Sequence, residues 1–456
     1  MRRLFLLLFL GSVAPAFAQS NLIVDNKEIA ITSSTNYHQV LVGVNGDGLG
    51  LLEVSGGQGT HVTSTHLEVG AGDVGMFSLT AFWENTGDTI IGNTTEGHLD
   101  LGSPESAGYF LNHGNFVVGG SAVGEVNLMS GTLANYGNLS VGISGEGRLD
   151  VRNASTAVLN QGNLYVATNA NSYGLLTING RFESQDLFLG QQGTAAMEVQ
   201  TFGHLTTRNA TVAQHAVTGI QASITVSGVW ENEQLMVIGA GGYGLLNIQT
   251  GGRVESGMVE IGAAPGAIGE VDVNGELLAN VISIGGGGEV AELRINSGGS
   301  VVANTVTFGR AGTLSLLFLY EGGTLVTSQV AGPVDHGAIY FLGGILRAGA
   351  NADEFFPEVE AGKLELGDGG LVFDTQSYNV STAASFSGTS GLRKLGSGIL
   401  TLSGTNTYQG GTVVQEGRLR ILSSSALPSG TIRVEENGIL HLVGSSTLPN
   451  TVELHG

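Results

Sequence analysis

A four-residue tag of apolar, variable, apolar and glycine positions recurs through the first two thirds of the chain at a nearly fixed beat. It reads VLVG at 40–43, LEVG at 67–70, TIIG at 89–92, FVVG at 116–119, LSVG at 139–142, LFLG at 187–190, MVIG at 236–239, VEIG at 259–262, ISIG at 282–285 and VTFG at 306–309. Degenerate copies, LYVA at 164–167 and ATVA at 210–213, fill the gaps. From Gly43 to Gly309 there are eleven intervals over 266 residues, a mean of about 24. Most tags are followed by glycine and a strictly alternating run, such as GRLDV at 147–151, GLLTI at 174–178 and GEVDV at 269–273. A third short run then ends on a small polar residue.

Three strands per coil of about 24 residues is the pattern of a solenoid. One coil cannot bury its apolar face alone, whereas stacked coils share a continuous core and pair their strands in parallel. Alternation within each run places one face inside and one in solvent. An antiparallel sandwich also shows a strand every 8–12 residues, but it has no reason to repeat in threes. The expected fold is therefore all-β, a right-handed parallel β-helix. The polar residues ending the third run include Asn85, Asn112, Asn135, Asn160, Asn232, Asn280 and Asn304. They are expected to stack as a ladder, each amide bonding its own turn and the amide one coil away. The competing reading is that they are turn residues without a ladder.

Composition narrows the function. Glycine is 75 of 456 residues, as a chain of many tight corners requires. Only 12% of residues are charged, yet the formal net charge is −22 and there are three lysines. Such a chain repels nucleic acid and anionic membranes, so no nucleic-acid partner is expected. There is no cysteine, which removes disulfides and thiolate metal sites. The start, MRRLFLLLFLGSVAPAFAQS, has two arginines, an apolar core and an A-x-A site. It reads as a signal peptide over residues 1–18, cleaved after Ala18, and the expected location is secreted or on a bacterial cell surface. No later segment is long and apolar enough to span a membrane as a helix.

The sequence divides further into an N-terminal cap at 19–39, regular repeats at 40–328, an irregular transition at 329–390 and a distinct region at 391–456. In that last region, GLRKLGSGILTLSGTNTYQGGTVVQEGRLRI at 391–421 carries Lys394, Gly396, Gly398, Leu400, Leu402, Gly404, Asn406, Tyr408, Gly410, Gly411, Thr412, Val414, Gly417 and Leu419 in a distinctive order. This order resembles the autotransporter-associated β-strand repeat of bacterial passenger domains. The upstream tags resemble passenger β-helix repeats more loosely. The resemblance implies an exported β-helix, usually structural or adhesive. The sequence up to Gly456 contains no segment that reads as the translocator barrel of such proteins, so self-secretion is not carried over.

Enzymatic chemistry is the competing expectation. Polysaccharide-cleaving β-helices need clustered carboxylates. Here Asp100, Asp150 and Asp272 lie in similar strands but on separate coils. His61 and His66 are close in sequence, and exposed positions rather than a metal site are expected for them. Trp83 and Trp230 fill equivalent slots in FWEN and VWEN and are expected in the core, not as sugar-stacking surface residues. Asn406 and Tyr408 stand out only by the repeat pattern: Tyr408 is expected to pack over the adjacent Gly-Gly turn, with surface recognition as the alternative. No catalytic, cofactor or metal residue is assigned. The expected role is a non-catalytic surface passenger, with a polysaccharide-active or carbohydrate-binding β-helix as the alternative. Expected partners are a host or abiotic surface, a polysaccharide or a second copy. Function should sit in the irregular stretches 94–110, 214–221 and 351–360.

Overall fold

The computed structural model describes residues 21–455, apart from 26, 45–47, 57–58, 216–219, 310–311, 333–335, 444–447 and 449. Residues 1–18, expected as a signal peptide, lie outside the described residues. The chain is a parallel β-solenoid of about 18 turns, essentially without helix. Each full coil contributes one strand to each of three walls. In a representative coil these are Gly97–Leu101, Gly108–Asn112 and Phe116–Val118. The first wall is a sheet of sixteen strands among the described residues, running from Glu28–Ile31 to Phe386–Gly388. The second and third walls join into a single sheet. From Val229–Ile238 onward, one long strand runs through the corner between them.

Alternation sets the faces. Gly97–Leu101 alternates buried and partly exposed residues, and its inward residues stack on those of the next coil. Phe77, Leu99, Val126, Leu149 and Leu176 form one such inward column, each in register with the next and all buried. Burying a large apolar side chain is worth roughly 1.5–3 kcal/mol. The stack multiplies that term with every coil, and this is how a chain without cysteines holds together.

The tag marks the corner between third and first walls. Its last residue is left-handed in nearly every coil, as at Gly92 (φ 75°). A Cβ at Gly92 would collide with the Val123 backbone in the next coil. The degenerate tags keep the conformation without glycine, at Ala167 (φ 56°) and Ala213 (φ 57°). An L residue pays roughly 1–2 kcal/mol there, which explains the rarity of the exceptions.

The segment expected as a cap already supplies a strand to each wall. Leu22–Val24 pairs with Gln39–Val42, Glu28–Ile31 with Gly50–Val54, and Thr35–Asn36 with His61–Ser64. In the transition zone, Phe355 and Phe356 turn into the core and pack against Phe373 and Phe386 at 5.3 and 5.7 Å. Beyond Phe386–Gly388 the first wall is continued by irregular backbone. Thr407 N donates to Phe386 O at 2.8 Å and Gln409 N to Gly388 O at 3.1 Å.

Candidate functional site

The corner between second and third walls holds a column of buried polar side chains. Asn85 Nδ2 donates to Asn112 Oδ1 at 3.0 Å, Asn112 to Asn135 at 2.7 Å and Asn135 to Asn160 at 2.7 Å. Ser64 Oγ starts the run by donating to Asn85 Oδ1 at 2.8 Å, and Ser184 Oγ ends it by accepting from Asn160 at 2.9 Å. Each of these asparagines also bonds the carbonyl two residues on, as Asn112 Nδ2 does to Gly114 O at 2.8 Å. A second run goes from Thr207 through Asn232 to Ser256, at 2.9 and 3.0 Å.

Asn280 and Asn304 are placed elsewhere. Ser256 is in register with Ala279, and Ala279 with Ala303, so the inward position passes to alanine. Arg253 pairs with Glu276, a step of 23 residues rather than 24, so a residue counted on at 24 from Ser256 falls one place past the inward position and points to the other face. Asn280 and Asn304 are exposed and meet each other at 3.4 Å on the outside.

The tryptophans belong to the same corner. Trp83 and Trp230 are fully buried. Trp83 Nε1 donates to Ser64 Oγ at 3.1 Å, and Trp230 Nε1 to Thr207 Oγ1 at 2.9 Å. A hydroxyl replaces the amide in the coil preceding each indole, because a hydroxyl accepts that N–H and still donates onward. Neither tryptophan is available to a ligand.

The 391–421 segment is built as part of the solenoid. Leu392–Leu395 pairs with Leu371–Asp374 on one side and with Thr412–Ile421 on the other. Lys394 points inward, between Phe373 and Val414 in register, and is fully buried. Its ammonium donates to the carbonyls of Leu395 (2.8 Å), Gly396 (2.6 Å) and Glu416 (2.9 Å). Burial pushes it down to about 8, against the opposing pull of the Glu416 and Asp374 carboxylates. Gly396, Gly411 and Gly417 occupy left-handed corners. Any side chain at Gly398, Gly404 or Gly410 would meet backbone of the preceding coil. Leu400 and Leu402 fill the core. Asn406 ties three coils together: its Oδ1 accepts from Phe386 N at 2.7 Å and its Nδ2 donates to Ala426 O at 2.6 Å. The Tyr408 hydroxyl meets Thr412 Oγ1 at 2.7 Å, and burial pushes the phenol up to about 12.

The acidic and histidine candidates do not converge. Asp100, Asn127 and Asp150 occupy successive outward positions of the first wall, which separates the two carboxylates by two coils, about 10 Å. Asn127 Nδ2 donates to Asp100 at 3.1 Å, and Arg152 pairs with Asp150 at 2.9 Å. Asp272 lies several coils further along the same column and pairs with Arg294 at 3.4 Å. His61 faces Glu84 at 3.3 Å and His66 faces Glu68 at 3.6 Å, on different walls. Among the described residues no group of three such side chains is disposed to hold a metal ion. No described helix is long and apolar enough to cross a membrane.

One concavity was not foreseen. At the corner where the coil loses a residue, a groove of about 610 Å³ opens. Glu231, Glu233 and Glu255 line one end, and Leu278, Val302, Asn280 and Asn304 the other. Its sequence signal is slight: Gly257 stands where neighbouring coils carry Glu233 and Asn280.

Residues 392–421 match the family model of the passenger-associated-transport-repeat. No curated protein matches the chain significantly. The chain is thus a parallel β-solenoid carrying an autotransporter passenger-type repeat. That repeat and the fold together support an exported passenger protein.

Proposed function

We propose that this protein is a non-catalytic passenger whose solenoid presents an extended acidic surface for adhesion, self-aggregation or surface coating. The observation that carries the reading is the passenger-type repeat at 392–421. Its polar motif residues are buried, Lys394 and Asn406 bonded to backbone and Tyr408 to Thr412, so the repeat serves architecture. The outward carboxylates support the same reading, because Asp100, Asp150 and Asp272 stand apart on an open wall. A net charge of −22 favours surfaces and partners that are not polyanions.

A carbohydrate-binding reading has one observation in its favour. The groove at Glu231–Asn304 falls in the size range of ligand sites and mixes amides and carboxylates with the apolar Leu278 and Val302. A single experiment weighs both. The purified chain is incubated with a panel of plant and microbial polysaccharides, and both retention and new reducing or unsaturated ends are measured. No release is expected. Release would overturn the non-catalytic reading, and retention without release, lost on Asn280→Asp with Asn304→Asp, would favour the carbohydrate-binding one.

A further inference from the structure

The first wall obeys polar-outside alternation along most of its length, with outward pairs such as His98 and Asp100, Glu125 and Asn127, and Glu292 and Arg294. The strand Leu314–Tyr320, LSLLFLY, breaks it. Ser315, Leu317 and Leu319 point inward and are buried, while Leu314, Leu316, Phe318 and Tyr320 point outward. The next strand, Ala338–Leu342, repeats the fault with Ala338, Tyr340 and Leu342 outside. Register places Leu316 beside Ala338, Phe318 beside Tyr340 and Tyr320 beside Leu342. The Phe318 ring stacks on Tyr340 at 5.0 Å and lies 6.1 Å from Tyr320. Leu314 is 42% exposed. A contiguous apolar face of this kind, in a wall whose other outward apolar residues, such as Leu175, mostly stand singly among polar ones, marks a contact surface.

Charged residues border the patch, acids outnumbering bases: Glu292 is in register with Leu316 and Arg294 with Phe318 on the preceding strand, and Lys363 adjoins the following one. On the preceding coils Arg294 is held by Glu270 at 3.0 Å, Asp272 at 3.4 Å and Glu292, three acids around one base. On the following coil Glu365 is in register with Tyr340 and is exposed. Glu321 is exposed just past Tyr320. Two strands about 4.8 Å apart, each with three or four outward residues, give a footprint of a few hundred Å² at most. A stable dimer buries about 800 Å² on each partner, and two copies would also bring like charge together. The patch is therefore too small and too acidic for a second copy.

We propose that the outward face of Leu314–Tyr320 and Ala338–Leu342 docks a short amphipathic segment of a partner protein, whose apolar side is bordered by lysine or arginine. The apolar stripe covers Leu316, Phe318 and Tyr340, and its basic flanks meet Glu365 and the acids around Arg294. The surface is independent of the groove and of the non-catalytic reading. Failure of peptide docking would leave adhesion and polysaccharide retention to be read on their own assays.

The test titrates the whole chain with a synthetic amphipathic peptide of leucine and lysine, a leucine–glutamate counterpart and a neutral cello-oligosaccharide. The leucine–lysine peptide is expected to bind, and to bind at least about tenfold more weakly to Phe318→Ser and to Tyr340→Ser. Leu175→Ser, outward on a distant coil of the same wall, is expected to bind like the parent chain. Circular dichroism checks each variant, and the two aromatic substitutions on separate strands guard against one of them misfolding. Equal peptide binding by parent, Phe318→Ser and Tyr340→Ser would overturn the proposal, since attraction to net charge alone would then suffice. Equal binding of the leucine–glutamate peptide would overturn it too. So would an oligosaccharide that binds the parent and loses its binding in the two aromatic variants while the leucine–lysine peptide does not.

Discussion

At the scale of single residues, the buried amides show how much depends on position rather than type. Asn112 accepts from Asn85 and from the Thr89 hydroxyl, and donates to Asn135 and to Gly114. Asn112→Leu should therefore strand partners in two neighbouring coils and cost on the order of 2–4 kcal/mol, at roughly 1–3 kcal/mol for each buried group left unpaired. Asn280→Leu, on the outside, should stay within about 0.5 kcal/mol. Urea midpoints compare them directly, and equal shifts would mean that the column contributes nothing. The sequence could not separate the two asparagines. Residues 232, 256, 280, 304 and 328 keep a constant spacing of 24, and all are polar. The coil that begins at Arg253 is one residue shorter within the wall, so the regular series runs out of phase with the structure after Ser256. A periodicity argument follows the average coil, whereas a side chain answers to its own.

At the scale of elements, the 391–421 repeat is organised around one buried charge. The sequence pattern singled out Lys394, but only the stacking of Phe373, Lys394 and Val414 reveals that the ammonium lies inside. Polarity alone would put a lysine at the surface, although alternation places Lys394 on the same face as the buried Leu392. Lys394→Met would leave the carbonyls of Leu395, Gly396 and Glu416 without their donor and should cost on the order of 2–4 kcal/mol. The same group gives a pH signature. Its ordinary value is 10.5 and burial lowers it to about 8, so above pH 8 the unfolded chain holds more of this proton than the folded one. Its contribution is flat below about pH 8 and rises with pH from there towards 10.5, by at most about 1.4 kcal/mol per unit. The Tyr408 phenol, raised to about 12, stays protonated in this window. The stability gap between the parent chain and Lys394→Met should therefore widen between pH 8 and 9.5. A gap that stays constant, measured by urea melts at several pH values, would contradict a lowered ammonium.

At the scale of the whole molecule, the period of about 24 was enough to foresee stacked coils with three strands each. The outward apolar patch and the groove were not foreseen, because both arise from what neighbouring coils place side by side. Stacking about 18 turns at about 4.8 Å gives a rod of roughly 85 Å. The asparagine column gives that rod a direction. From Asn85 to Asn160 every amide donates towards the C-terminal coil and accepts from the N-terminal one, and Asn232 does the same between Thr207 and Ser256. Ser184 turns its proton back to Gly162 O at 3.1 Å, and the column resumes at Thr207. Mechanically, the corner is two short cables and not one long one. Under tension the coils within a cable should yield together, because chained hydrogen bonds reinforce one another, and the splice between the Ser184 and Thr207 coils should part first. Pulled end to end in an optical trap, the protein should lengthen in a few large jumps. A staircase of equal steps of roughly 80 Å, the contour of one 24-residue coil, would show that the load is shared coil by coil.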